Sequence, residues 1–194
     1  MDALRHLLTE HKVDVALLQE VALPRLDVPG YVEFTATGEG RRGTAILARA
    51  DLGLTPLLAL PSGRACAARI GNTTYISVYA PAGSRYRLQR AAFFAQDLAP
   101  MLAVAGPRWV LGGDFNCVLR ECDSTGATLK SPELAKLVSS LALVDVWPRV
   151  STGPGHTFAT AVITARCAVR WTGVGEHDPA APRAARRGAS TDAS

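Results

Sequence analysis

Gly112-Gly113-Asp114-Phe115-Asn116 follows the apolar run Trp109-Val110-Leu111. The run stops at two glycines and then offers a carboxylate and an amide two positions apart. In extended backbone such residues point the same way. Asp114 and Asn116 would then face one cleft while Phe115 turns into the core. A carboxylate holds a metal or steers a water, and an amide donates to a phosphate oxygen. The same residue types also build an ordinary strand-end turn, since Gly, Asp and Asn all favour turns. The surrounding chain has to decide between the two.

The elements that must position this segment can be read from periodicity. Asp2 can cap a helix whose apolar face is Leu4, Leu7 and Leu8, and Val13 to Leu18 follows as a buried strand ending at Gln19-Glu20. Tyr31 to Ala36 and Thr44 to Arg49 read as two strands around a Gly- and Arg-rich turn. Residues 64–70 and 73–79 form an expected hairpin across Gly71-Asn72. Arg85 to Val104 has helical spacing, with Leu88, Ala91, Ala92, Ala95, Leu98 and Leu102 on one face. A strand from Trp109 to Gly112 comes next, and Ser131-Pro132-Glu133 opens a further helix with an N-cap serine and Pro at its first position. Hairpins mixed with helices suggest an α/β sandwich rather than a strictly alternating parallel sheet.

Bulk properties narrow the class. The 194 residues suffice for one domain with a sizeable core, and 48% are hydrophobic and 20% charged. No apolar run approaches the roughly 20 residues that cross a bilayer. The first residues lack the apolar stretch of a signal peptide, so an intracellular location, nuclear or cytoplasmic, is expected. Cys66, Cys117, Cys122 and Cys167 form no C-x-x-C pair and read as small hydrophobes or incidental thiols. Net charge is +4, but residues 1–160 carry 16 basic and 14 acidic side chains, a balance compatible with nucleic acid without arguing for it.

Three motifs stand at strand ends in order: Leu18-Gln19-Glu20, Val78-Tyr79-Ala80-Pro81 and Gly112-Gly113-Asp114-Phe115-Asn116, with His156-Thr157-Phe158 after them. Together they resemble the endonuclease/exonuclease/phosphatase superfamily, which includes DNase I-like and apurinic endonucleases. Gly43-Thr44-Ala45-Ile46, the Tyr79-Ala80-Pro81 helix with Phe93-Phe94, Asn116-Cys117-Val118-Leu119 with Asp123, and Leu143-Val144-Asp145-Val146-Trp147 resemble its branch in LINE-type (non-LTR) retrotransposons. The resemblance spans roughly residues 4–159 and implies a four-layer α/β/β/α sandwich. It also implies metal-dependent phosphodiester hydrolysis with Mg²⁺ or Mn²⁺, DNA as the partner, a monomer, and a past fusion to a reverse transcriptase.

The resemblance distributes roles among these positions. Glu20 would be the metal ligand, a carboxylate suited to Mg²⁺, which prefers hard oxygens and keeps several waters. Tyr79 would direct its hydroxyl at the scissile phosphate, Asp114 would orient or deprotonate the attacking water, and Asn116 would bind the phosphate. Thr157 matches a threonine at the edge of the family's site. Arg85, Arg87 and Arg90, with Tyr86 among them, could track a DNA backbone, although a solvated helix start is the more common explanation for such a cluster. Arg120 is placed similarly, and Asp123 reads as a loop-ordering residue.

The match also fails in places. The family begins with a strand carrying an asparagine ahead of the first helix, and ends with Ser-x-x-Asp and Ser-Asp-His. Neither end is present here, and after Phe158 the chain reads Ala-Thr-Ala-Val-Ile-Thr-Ala-Arg-Cys-Ala-Val-Arg-Trp. His177-Asp178 is the nearest His/Asp pair, in reversed order. These features predict a partial domain over 1–160, with first and last core strands missing, and a divergent, disordered tail over 161–194. A frame-shifted or decayed end, impaired turnover and marginal stability are expected with it. Two other functions stay open: a catalytically dead, nucleic-acid-binding remnant, and a hydrolase of small phosphoesters from the same superfamily.

Overall fold

Strands such as Gly43–Arg49 and Ala65–Ile70 are buried on both faces, because two sheets pack on each other with helices on both outer sides. The computed structural model describes residues 2–38, 42–119 and 130–145, and the backbone of three short strands at 158–159, 162–163 and 166–170. Helix α1 (Asp2–Glu10) leads into β1 (Val15–Val21), followed by β2 (Tyr31–Ala36) and β3 (Gly43–Arg49). These strands form an antiparallel sheet in the order β1-β3-β2. On β3, Ala45 and Leu47 pack towards α1 with Leu8, whereas Ile46 packs towards the second sheet with Cys66 and Ala68. Leu7, expected on the inner face of α1, is half exposed.

The second sheet is larger. Strands β4 (Thr55–Ala59), β5 (Ala65–Ile70) and β6 (Thr73–Tyr79) run antiparallel, and β7 (Trp109–Asp114) lies parallel to β6. A parallel neighbour requires a crossover. Here it is α2 (Arg87–Ala92), a π-helical turn (Phe93–Leu98) and α3 (Ala99–Val104). This crossover covers the outer face of the sheet, where Phe93, Phe94, Leu98, Met101 and Leu102 pack on Ile76, Val78, Trp109 and Leu111. Helix α4 (Pro132–Ser140) completes that layer, capped as expected by Ser131, whose hydroxyl accepts from the Leu134 N–H at 3.2 Å. The layers are therefore α/β/β/α.

Two details differ from the periodicity reading. Leu88 is 83% exposed, and the inner face of the crossover begins instead at Arg90 and Phe93. The wide turn, in which the Ala99 N–H reaches back to the Phe94 carbonyl, lies just ahead of Pro100. Proline lacks an N–H and crowds the preceding turn, so the regular ladder is relaxed there. Beyond residue 160, where the sequence places the end of the domain, the backbone forms further strands. Strand β8 (Val144–Asp145) is joined to β7 through β11 (Arg166–Arg170), which pairs along Trp109–Gly113. The short apolar run Cys167-Ala168-Val169 gives β7 its second neighbour, and the Ala-, Arg- and Gly-rich composition begins only after it. The short strands β9 (Phe158–Ala159) and β10 (Val162–Ile163) pair with each other.

Candidate active site

The larger sheet supplies half of the site by register alone. On the parallel strands β6 and β7, Val78 stands beside Gly113 and Tyr79 beside Asp114. A Cβ at Gly113 would lie 2.0 Å from the Val78 carbonyl oxygen, and its φ of +146° is one that L side chains rarely adopt. Only glycine lets the strands close at that level. Alternation then sends Val78 and Leu111 into the helix-side core, and aims Tyr79 and Asp114 at the mouth between the sheets. The Ala80 N–H donates to the Asp114 carbonyl at 2.8 Å and holds the two strand ends together.

Asn116 arrives by a turn rather than by alternation. The strand stops at Asp114, and Asn116 has φ +50°, a left-handed conformation that asparagine tolerates better than most residues. Its backbone N–H donates to Asp114 Oδ1 at 2.9 Å, and its Nδ2 donates to the Ala80 carbonyl at 2.8 Å. The segment is thus both a strand-end turn and a clamp between the β6 and β7 termini. Phe115 turns into the core as expected and tilts against Phe94, with ring centroids 6.5 Å apart.

Glu20 comes from the smaller sheet, and simple alternation would misplace it. Leu18 faces α1, and Gln19 reaches the opposite sheet, donating to Ser77 Oγ at 3.1 Å. Glu20 should turn back towards α1. Instead it has φ +57°, and the ladder to β3 slips between Gln19 and Val21. This bulge re-aims the side chain at the mouth. There the Tyr79 hydroxyl donates to Glu20 Oε1 at 2.9 Å, and Arg42 Nη1 donates to Oε2 at 2.7 Å. Behind it, the buried Ser77 hydroxyl donates to the Leu18 carbonyl at 2.9 Å, tying the two sheets beside the bulge.

The electrostatics follow from this crowding. Burial pushes the Asp114 carboxyl above its ordinary range; the Asn116 N–H opposes that, and the Glu20 charge adds to it. Burial also raises the Tyr79 phenol, with the Glu20 hydrogen bond and charge reinforcing the shift and Arg42 opposing it. Tyr79 therefore stays protonated and serves as a hydrogen-bond donor. The Arg42 guanidinium is raised by its contacts with Tyr79 and Glu20. Arg64 completes the surroundings, donating to the Tyr79 carbonyl at 3.2 Å with its guanidinium 5.6 Å from the ring centroid.

Glu20, Tyr79, Asp114 and Asn116, four of the residues singled out in the sequence, thus converge. Arg90 does not join them as a DNA contact. It is 5% exposed, and its Nη1 donates to the carbonyls of Pro81 and Gly83 at 2.8 and 3.3 Å. It clamps the loop that follows Tyr79-Ala80-Pro81, because a buried guanidinium must find acceptors. Arg85 and Arg87 are exposed, and Arg85 stacks on the Tyr86 ring at 4.7 Å. Thr157, Arg120 and Asp123 lie outside the described residues. Arg42, Arg64 and the Gln19–Ser77 link were not singled out in the sequence. The antiparallel pairing of Val21 with Gly43 is the signal that places Arg42 beside Glu20.

The donor set suits a hard divalent cation. Glu20 and Asp114 are carboxylates close enough for one charge to raise the other's pKa, and a cation would relieve that repulsion. Among the described residues no three His, Cys, Asp or Glu side chains gather as a metal cluster. Two carboxylates match Mg²⁺, which retains much of its water shell. Cys66 and Cys117 are no rivals as ligands, since burial pushes both thiols up to about 11. An open groove of about 700 Å³ along β2, lined by Arg25, Asp27 and Glu33 among others, includes none of the site residues. No helix among the described residues is long and apolar enough to cross a membrane.

Comparison with known proteins agrees with this geometry. The model of the endonuclease/exonuclease/phosphatase family matches residues 1–172. The RNA-directed DNA polymerase from mobile element jockey of Drosophila melanogaster is 28% identical over 127 residues, 59% of this chain and 13% of that protein. The chain thus matches only a small part of that relative's length. Among solved structures, an AP endonuclease from Archaeoglobus fulgidus superimposes with a TM-score of 0.71 at 17% identity, covering 87% of this chain and 80% of that one. A 3'-5' exonuclease from Neisseria meningitidis gives 0.64 at 21% identity, with the same coverages of 87% and 80%. D. rerio TDP2 complexed with single strand DNA product gives 0.61 at 14% identity, covering 91% and 78%.

Proposed function

The chain belongs to the endonuclease/exonuclease/phosphatase family, and we propose that it is a Mg²⁺-dependent endonuclease domain that nicks DNA on behalf of a retroelement. One observation carries the reading: two carboxylates, a protonated phenol and an amide, drawn from three strand ends, meet at one mouth. Phosphodiester hydrolysis needs an oriented water, a neutralised phosphate and a supported leaving oxygen. Asp114, held in place by the Asn116 N–H and raised by burial, is suited to take a proton from water. Tyr79 keeps its proton and can donate a hydrogen bond to a phosphate oxygen. Asn116 braces the strand ends and presents its amide beside them. Glu20, with Asp114 near it, would hold the cation, which when bound supplies the positive charge that neutralises the phosphate oxygens.

The jockey relative supports the retroelement assignment and a neighbouring reverse transcriptase in the parent protein. The DNA product in the TDP2 complex supports DNA as the substrate class. The test is nicking of supercoiled plasmid with and without Mg²⁺, with soluble phosphoesters in parallel. Nicking that requires Mg²⁺ and falls by roughly 10²–10⁴ in Asp114→Ala is the expected result. Preference for the soluble esters, or nicking that survives Asp114→Ala, would overturn the assignment.

A further inference from the structure

Both oxygens of Glu20 are engaged, Oε1 by the Tyr79 hydroxyl at 2.9 Å and Oε2 by Arg42 Nη1 at 2.7 Å. A divalent cation on Glu20 would share the carboxylate with the Arg42 guanidinium, and the repulsion between the two positive charges weakens the Arg42 contact. The two partners differ in how easily they leave. Tyr79 is 8% exposed, fixed in register on β6, and braced by Arg64. The Arg42 side chain is 61% exposed and stands just ahead of β3.

We propose that Arg42 is a resident counter-ion of Glu20 that an arriving divalent cation displaces, and that the freed guanidinium then grips the substrate phosphate. The proposal rests on the metal reading given above. In the metal-free protein Arg42 offsets the Glu20 charge, while the Tyr79 hydroxyl keeps the carboxylate aimed at the mouth. The exchange is cheap, because exposed ion pairs contribute little. It is also useful, because a planar guanidinium matches a phosphate with two parallel hydrogen bonds. Arg42 and the Tyr79 hydroxyl hold the two oxygens of the same carboxylate, so Arg42 begins next to the hydroxyl that would face the phosphate. Cation binding and DNA binding are then coupled in the favourable direction, through one side chain with two alternative partners.

The experiment measures Mn²⁺ affinity by electron paramagnetic resonance on the full chain, without DNA or turnover. Arg42→Ala should tighten Mn²⁺ binding by about two- to five-fold, the range an exposed ion pair represents. Arg64→Gln removes the same charge without touching Glu20, so it should give a smaller gain. Melting curves confirm that each variant is folded. In a second measurement, Ca²⁺ should raise duplex DNA affinity more in the wild type than in Arg42→Ala. Unchanged or weaker Mn²⁺ binding in Arg42→Ala, or an equal gain from Arg64→Gln, overturns the exchange. Glu20→Gln separates the two levels. If it abolishes Mn²⁺ binding while Arg42→Ala has no effect, the exchange alone fails. If Mn²⁺ binding ignores Glu20→Gln, the metal reading fails with it.

Discussion

Tyr79 and Asp114 stand on neighbouring parallel strands whose register is locked at Gly113, whereas Glu20 stands on a bulge and is aimed by side chains. The first half is buried and backbone-determined: Val78 is fully buried and Tyr79 is 8% exposed. The second half is open to water, with the Glu20 side chain 44% exposed. A reaction that positions a water and a phosphate within a fraction of an ångström needs the rigid half. A cation that must enter, settle and leave is better served by the adjustable half. The difference between the halves therefore divides the labour of the proposed reaction.

The sharpest way to break this comparison is Gly113→Ala. The new methyl would meet a backbone carbonyl rather than a flexible side chain, so the strands must part. A loss of about 3 kcal/mol or more is expected in denaturant melts. A loss below about 1 kcal/mol would mean that the register is not locked there.

Arg90→Ala is expected to come next. It removes two hydrogen bonds from a buried guanidinium to the loop after Pro81, at a cost of about 2 kcal/mol. It should leave the salt dependence of DNA binding unchanged. Arg85→Ala, at an exposed position, should instead lower that slope by about one without affecting the melt. Equal effects from both would place Arg90 among the DNA contacts after all.

The smallest effect concerns Asp114→Asn. Because burial raises the folded-state pKa of Asp114, its contribution is fully present below the ordinary carboxylate pKa of about 3.9. That contribution is lost as pH rises through the raised value. The asparagine variant can still accept the Asn116 N–H. Its melting temperature should therefore gain on the wild type as pH rises from 4 to 7. A variant that loses ground over that range would contradict the buried-carboxylate account.

Much of this was legible in the sequence. The strand end at Tyr79, the Phe115 turn into the core, and the Ser131 cap all follow from local pattern and turn chemistry, whereas β7 runs on to Asp114, two residues past the expected end at Gly112. The edge strand β4 was not, because Pro56 disguises it as a loop. Leu88 belonged to the apolar spacing yet is exposed, because the crossover presents its Arg90–Phe93 face to the sheet. The role of Arg90 was illegible for a related reason. A charged residue in a cluster of arginines gives no sign that its neighbours will be exposed while it is covered.

By itself the sequence determined the site's residue types and the order of the strand ends that carry them. These are properties of single segments, and period, turn preference and steric bulk are written locally. Only the tertiary structure decided where Glu20 points and what holds it. A bulge is defined by a partner strand, and Arg42 reaches Glu20 because β1 and β3 pair antiparallel, a register that neither strand contains alone.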